Sequence, residues 1–178
     1  MGNTYADFIV PLAMPLIILS GVIEFILSGT WNGTYFRRGI PIFKRKYFAA
    51  SPLQKPKGSE LQLLLAGKFP QKVLVNEFSP SEYGFRYTFF HLGQGPIPVM
   101  HGMLNWDESA HLVTVTGFAN WSVITVTVLL SSMLLVMPVS LFLLAIAGFL
   151  IMGSWLYYSD SKTFKLVGEI ASKSWESV

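Results

Sequence analysis

Two long apolar segments constrain the fold of this 178-residue chain more than any other feature. The first, Phe8–Leu27, offers twenty positions with one charge, Glu24. A helix of that length can cross a hydrocarbon core of about 30 Å. The residues before it carry Asp7 and neither Lys nor Arg, the wrong charge for a cleaved signal peptide. We therefore predict that residues 1–29 form a retained transmembrane helix.

The second apolar segment, Ala119–Tyr158, is too long for one span, since as a single helix it would measure ~60 Å. Pro138 lies near its middle and removes a backbone hydrogen-bond donor there. We predict that 119–158 is a transmembrane helical hairpin with arms at about 120–137 and 140–158. The alternative is a re-entrant hairpin that enters only one leaflet.

The basic residues indicate the orientation. All thirteen Lys and Arg residues lie within 37–86 or 162–173, and none precedes the first apolar segment. Because cytoplasmic loops carry the excess of Lys and Arg, we predict that the N-terminus is outside and that 30–118 and the C-terminus are cytoplasmic. A bacterial inner membrane is the favoured location.

Residues 30–118 have the pattern of a small antiparallel β module. Leu112–Thr116 alternates apolar and hydroxyl residues, which is typical of a half-buried strand. Ser59 followed by Gln62 matches a capping box and predicts a short helix. The predicted fold class is therefore an integral membrane protein with three helical spans and a cytoplasmic α+β module. Further candidate strands are 35–48, 73–75, 84–91 and 97–104, and turns are predicted at 79–82, 93–96 and 105–108.

The C-terminal residues 159–178 have apolar side chains at helical spacing, flanked by lysines. This pattern predicts a cytoplasmic amphipathic helix that lies on the inner membrane surface. A frayed, solvated tail is the alternative. The apolar positions are Phe164, Val167, Ile170, Ala171 and Trp175.

No motif in the chain specifies a chemistry. The sequence has no cysteine, which excludes a disulfide framework and thiol-ligated metal sites. It also lacks the nucleophile elbow, the Walker loop, the dinucleotide fingerprint and the zinc-protease motif. We therefore predict no catalytic residue and no cofactor, although a bound lipid is compatible with the sequence.

Glu24 is the one ionisable residue in the first predicted span, and such residues are functional hypotheses by default. It could relay a proton or pair with a cation of a partner helix. Because it lies near the cytoplasmic end, an interfacial or partner-pairing role is favoured. The other two predicted spans offer no charged partner, so transport by this chain alone is not expected.

Two further groups of residues are candidate sites. His91, His101 and His111 recur at ten-residue spacing beside predicted strands and are weak candidates for a metal site. Basic residues follow the first predicted span and could contact anionic lipid headgroups or serve only as a topology signal. Nucleic acid is a poor alternative. These basic residues are Arg37, Arg38, Lys44, Arg45 and Lys46.

The leading functional hypothesis is a non-enzymatic accessory subunit that packs against a larger membrane complex, either energy-transducing or transport-related. Small residues would allow close helix contacts with that complex. A second hypothesis is a membrane-anchored sensor that binds a lipid or small molecule in a pocket. A third is a lipid-acting enzyme or carrier using Glu24 or the histidines. The helix-packing candidates are Ser131, Ser132, Ala145, Gly148 and Gly153, and the pocket candidates are Phe85, Tyr87, Phe89 and Val99.

Overall fold

The fold is an antiparallel five-stranded sheet combined with five helices in the described part of the chain. The computed structural model describes residues 4–48, 57–66, 68, 73–87, 100–134 and 139–173. The elements are α1 (Thr4–Gly29), α2 (Gly33–Arg37), β1 (Pro41–Phe48), α3 (Gly58–Leu65), β2 (Val73–Ser79), β3 (Glu82–Tyr87), β4 (Met100–Asp107), β5 (Leu112–Ala119), α4 (Trp121–Leu134) and α5 (Val139–Lys173).

The predicted antiparallel meander is confirmed. Strands β2 to β5 follow one another in space, and β1 pairs with β5, which gives the order β1-β5-β4-β3-β2. The predicted bounds differ from the observed ones at several places: β2 continues beyond the predicted 73–75 to Ser79, and β3 begins at Glu82, before the predicted 84–91. The segment 35–48 begins with the short helix α2, and the predicted turn at 105–108 is largely strand, because β4 continues to Asp107. The predicted turn at 93–96 lies outside the described residues.

One face of the sheet forms the main core, covered by α3 and the C-terminal half of α5. Phe164, Val167 and Ala171 of α5 are almost completely buried against it. The predicted amphipathic helix is therefore present, but its apolar stripe contacts the sheet, and the expectation that it lies on a membrane surface is wrong. Trp175 lies outside the described residues.

Helix α3 also protects an edge of the sheet. The side-chain amide of Gln62 donates to the carbonyl of Val73 (2.6 Å), and its oxygen accepts from the N–H of Val75 (2.7 Å). The predicted capping box of Ser59 and Gln62 is therefore wrong. Glu60 provides the contact at the start of α3, where its carboxylate accepts from the backbone N–H of Lys57 (3.0 Å).

Helix α1 contains the stretch Pro11–Gly29, the one helix of the described part that is long and apolar enough to cross a membrane by length and composition. It packs along α4. Helix α5 runs without a break for 35 residues, about 52 Å at 1.5 Å per residue, from the second apolar segment into the core under the sheet. The predicted third span and the predicted tail thus belong to one helix.

The turn after α1 directs the chain onto the second face of the sheet. The N–H of Asn32 donates to the carbonyl of Leu27 and that of Trp31 to the carbonyl of Ser28, which is the Schellman pattern. Trp31 occupies the left-handed position of this turn (φ 55°), where glycine is the usual residue. Its ring stacks on Phe36 at 5.2 Å between centroids, and these contacts hold the strained conformation in place.

The β4–β5 turn has a second residue in the left-handed region, His111 (φ 51°). Because a non-glycine residue there costs roughly 1–2 kcal/mol, we expect His111→Gly to raise the free energy of unfolding by ~0.5–1 kcal/mol after the entropy loss of glycine is subtracted. Chemical denaturation of the purified chain would measure it. A lower stability of this variant would show that the imidazole makes a contact that outweighs the strain.

Candidate functional site

A buried polar cluster joins α1, α2, α4 and the sheet, and Glu24 is at its centre. Glu24 is 4% exposed. One oxygen accepts from the hydroxyl of Tyr35 at 2.5 Å, and the other accepts from the backbone N–H of Ser122 at 2.8 Å. Both carboxylate oxygens are therefore satisfied within the chain, as a buried charge requires.

The local sequence explains how Tyr35 reaches Glu24. The Schellman turn ends α1, and Asn32 then caps α2, because its side-chain oxygen accepts from the N–H of Tyr35 at 3.0 Å. This cap starts a new helix immediately after the old one. The short helix turns Tyr35 back toward the last turns of α1, where it meets Glu24.

Ser122 is the second residue of α4, so Glu24 binds a free N–H at the start of that helix. The first backbone N–H groups of a helix have no partner within it, and they favour a negative charge. Glu24 therefore stabilises the start of α4 from the neighbouring helix α1. This contact assigns a structural role to the acidic residue that the sequence singled out.

His101 extends the cluster from α2 to the sheet. Its imidazole lies between two aromatic rings, stacked on Tyr35 (4.2 Å between centroids) and on Phe118 (5.8 Å). Nε2 lies 3.2 Å from the carbonyl oxygen of Tyr35, and Nδ1 lies 3.1 Å from the side-chain oxygen atom of Asn120. Both neighbouring oxygen atoms only accept, so the neutral ring can donate to one of them at a time, through Nε2–H to Tyr35 or through Nδ1–H to Asn120, and the tautomer decides which.

Burial controls the protonation of both rings. Desolvation, followed by the charge of Glu24, raises the pKa of Tyr35 far above its ordinary value, so the phenol remains a hydrogen-bond donor. Desolvation lowers the pKa of His101, and the contact with Asn120 and the charge of Glu24 offset this in part. The cluster thus holds one carboxylate, one phenol and one neutral imidazole in fixed positions, an arrangement suited to joining helices to a sheet.

The depressed pKa of His101 has a consequence for stability. Because the folded state binds the proton less tightly than the unfolded state does, lowering the pH below about 6.5, the unfolded value, must reduce the free energy of unfolding. We expect the denaturation midpoint to fall between pH 7 and pH 5 and this dependence to weaken in His101→Gln. His111→Gln, which removes an exposed imidazole at the β4–β5 turn, is the control. An unchanged slope in His101→Gln would contradict the assignment.

The three predicted histidine ligands do not form one site in the described part of the chain. His101 lies at the start of β4 and His111 in the turn beyond its end, roughly 20 Å away along the strand at ~3.3 Å per residue. The hypothesis that these two converge on a metal is therefore wrong. His91 lies outside the described residues, which contain no group of three ligand-type side chains.

Arg37 has a partner within the chain. Its guanidinium donates to Glu82 at 2.7 and 2.9 Å, and it lies over the ring of Phe78 at 5.7 Å. Arg38 is exposed, and the guanidinium of Arg45 lies 5.7 Å from the ring centroid of Phe43. A lipid-headgroup role for these basic residues stays a prediction.

Lys44 and Lys46 contribute to an open polar groove on the second face of the sheet. They lie beside Thr116 and Thr114 on β5, their direct neighbours in the strand register. The groove continues over Asn105 to an acidic side. Its acidic residues are Glu82, Asp107 and Glu108. The groove therefore separates positive charge on β1 from negative charge on β3, at the end of β4 and in the β4–β5 turn.

Three of the predicted helix-packing residues lie on surface that the described part of the chain leaves open. Ser131, Gly148 and Gly153 are exposed, and a Cβ added to either glycine would meet no atom within 4 Å. Ser132 is half-buried, and its hydroxyl donates to the carbonyl of Leu129. The side chain of Ala145 lies outside the described part.

The pocket expected by the sensor hypothesis is filled where the structure describes it. The ring of Phe85 packs 4.8 Å from that of Phe164 between centroids, and Tyr87 and Met100 are also buried there. The remaining space beside these residues does not admit a water molecule. Phe89 and Val99 lie outside the described residues.

Sequence reasoning missed a second anchoring carboxylate, Asp160. It is 2% exposed, and its carboxylate accepts from the backbone N–H of Met100 at 3.2 Å, at the start of β4. Tyr35 and Asn120 were also missed. The only local signal was the cap residue Asn32, because the other contacts join residues far apart in the chain.

No protein-family model, curated protein or solved structure matches this chain.

Proposed function

We propose that this chain is a non-enzymatic accessory subunit of a larger membrane protein complex. In this proposal α1, α4 and the N-terminal half of α5 are the three spans, and the sheet lies on the cytoplasmic side of a bacterial inner membrane. The fixed polar cluster around Glu24 then joins two spans to the sheet, so that the subunit is one rigid part. The complex could be energy-transducing or transport-related.

The observation that carries the proposal is the distribution of exposed apolar side chains. Large apolar residues are exposed along α1 (for example Leu12, Ile18 and Val22) and along the N-terminal half of α5 (for example Leu150 and Ile151). Surfaces of this kind on a water-soluble domain are aggregation liabilities, whereas lipid or a partner helix accommodates them. Outside these helices, large apolar residues such as Phe48 on β1 and Leu63 on α3 are also exposed.

Exposed aromatic residues support the same arrangement. Trp121 begins α4, and Trp155, Tyr157 and Tyr158 precede the buried part of α5. Tryptophan and tyrosine are enriched at the interface between a bilayer and water. These residues would form a belt around the end of the sheet at which Glu24 lies.

The polar groups favour an accessory role over an enzyme or a transporter. Glu24 is enclosed by Tyr35 and Ser122, and His101 is buried between rings, so neither presents a free reactive atom to a substrate. The filled core beside Phe85 likewise favours an accessory role over a sensor.

The test is affinity purification of the tagged chain from native membranes in mild detergent, followed by native gel electrophoresis and mass spectrometry. We expect a large assembly with defined partners. Gly148→Leu and Gly153→Leu, which add bulk on open surface, should weaken the assembly, whereas Leu150→Phe should not if that face contacts lipid. A lone chain that co-purifies only with lipid would argue against the accessory role and for the sensor hypothesis.

A further inference from the structure

The two edge strands of the sheet differ in whether their outward backbone groups have partners in the described chain. On β2, the carboxamide of Gln62 bonds to Val73 and Val75 and so occupies backbone groups that a further strand would need. Strand β1 forms the opposite edge, and no element of the described chain pairs with its outer side. Its eight residues are long enough for a partner strand. An open edge of this kind is a site for strand addition.

The positive charge of β1 determines which kind of partner strand can pair with this edge. Lys44, Arg45 and Lys46 are consecutive and exposed, and no ion pair involves them within the described part of the chain. Since alternate residues of a strand share a face, Lys44 and Lys46 lie together beside Thr116 and Thr114, while Arg45 lies on the core side. A strand added here would place its own alternate residues next to both lysines.

The geometry points to β1 as the docking site for an extended acidic segment of a partner protein, which adds as a sixth strand and carries Asp or Glu at positions i and i+2. Its backbone bonds to the free edge, and the two carboxylates pair with Lys44 and Lys46 on the second face of the sheet. This inference rests on the proposed function, because the segment would belong to the complex that the subunit joins.

Two other occupants fit less well. A second copy of this chain would bring its own lysines against Lys44 and Lys46, and like charges directly opposite each other destabilise a sheet. In the proposed arrangement, lipid headgroups would contact the end of the sheet that adjoins the spans. Lys44 to Lys46 lie roughly 10–17 Å from Pro41 at that end, at or beyond the screening length of ~8–10 Å.

The experiment places p-benzoylphenylalanine at Phe48, which is 80% exposed and continues the row of Lys44 and Lys46, in the full chain in native membranes. The matched control places it at Leu63 on α3, which is 74% exposed and lies by the protected edge. We expect light to cross-link only the Phe48 probe to the partner. Peptide mapping should locate the adduct in a segment with acidic residues at alternate positions.

Charge reversal then tests the pairing. Lys44→Glu with Lys46→Glu should abolish the adduct, whereas Lys68→Glu with Lys162→Glu, an equal charge change at two other exposed positions, should leave it. Reversing the two mapped partner acids to lysine should restore the adduct to the first variant. An adduct with phospholipid or with a second copy overturns the inference. The absence of any adduct from a complex that still co-purifies also overturns the inference, but it leaves the accessory role standing. Loss of the adduct together with the complex overturns the inference and the accessory role.

Discussion

Replacing Glu24 with alanine is expected to lower the free energy of unfolding by roughly 2–4 kcal/mol, one of the two largest single effects expected in this chain. The carboxylate accepts from the hydroxyl of Tyr35 and from the N–H of Ser122. Its loss leaves both donors buried without an acceptor, and hydrogen bonds to a charged group are the stronger ones. Denaturant titration of the purified protein in detergent, followed by tryptophan fluorescence, measures the change.

Two matched variants separate the lost contact from the lost charge. Glu24→Gln keeps one acceptor oxygen and should lose about half as much stability as the alanine variant. Tyr35→Phe removes one donor and should therefore reduce the further effect of Glu24→Ala. If the two single effects were strictly additive, Glu24 and Tyr35 would not be coupled and the junction would be held by apolar contacts alone.

The second large effect is expected for Gly102→Ala, because there is no room for a methyl group. A Cβ at Gly102 would lie 2.1 Å from the Cζ atom of Phe85, whose ring is buried against Phe164. Gly117, the neighbour of Gly102 on β5, is also crowded, because a Cβ there would lie 2.7 Å from both Met100 and Phe164. Overpacking of this kind costs about 3 kcal/mol, the upper end of its usual range.

The control for this variant is a glycine in open space. Gly153→Ala adds a methyl group that meets no atom within 4 Å, so it should be neutral or slightly stabilising in a helix. Phe85→Leu combined with Gly102→Ala should recover part of the lost stability, since a shorter side chain vacates the space. A melting temperature of Gly102→Ala equal to that of the unaltered chain would contradict the packing described for this face.

Periodicity predicted the parts of the fold that depend on local sequence. The alternation in Leu112–Thr116 located β5, and the apolar stripe of 164–171 predicted a helix with one buried face. The stripe could not say what would cover that face, because a sheet and a membrane surface both bury apolar residues. The structure resolves this choice in favour of the sheet.

The candidate site was far less predictable. The sequence singled out Glu24 by its charge in an apolar segment, but its partners Tyr35 and Ser122 lie 11 and 98 residues away. Tyr35 stood in a run rich in strand-forming residues, which predicted a strand there, and the Asn32 cap that starts α2 was not recognised. Gln62 matched a capping pattern, but its carboxamide binds β2, a tertiary contact that local rules do not contain.

The unbroken course of α5 has a consequence for the order of biosynthesis. All five strands leave the ribosome before Phe164, Val167 and Ala171, which complete the core against which those strands pack. The sheet can therefore reach its final stability only after the last apolar segment has been synthesised. Until then a nascent chain ending near Ala119 has an apolar sheet face that only α3 covers in part, which is when a chaperone or the insertion machinery would need to shield it.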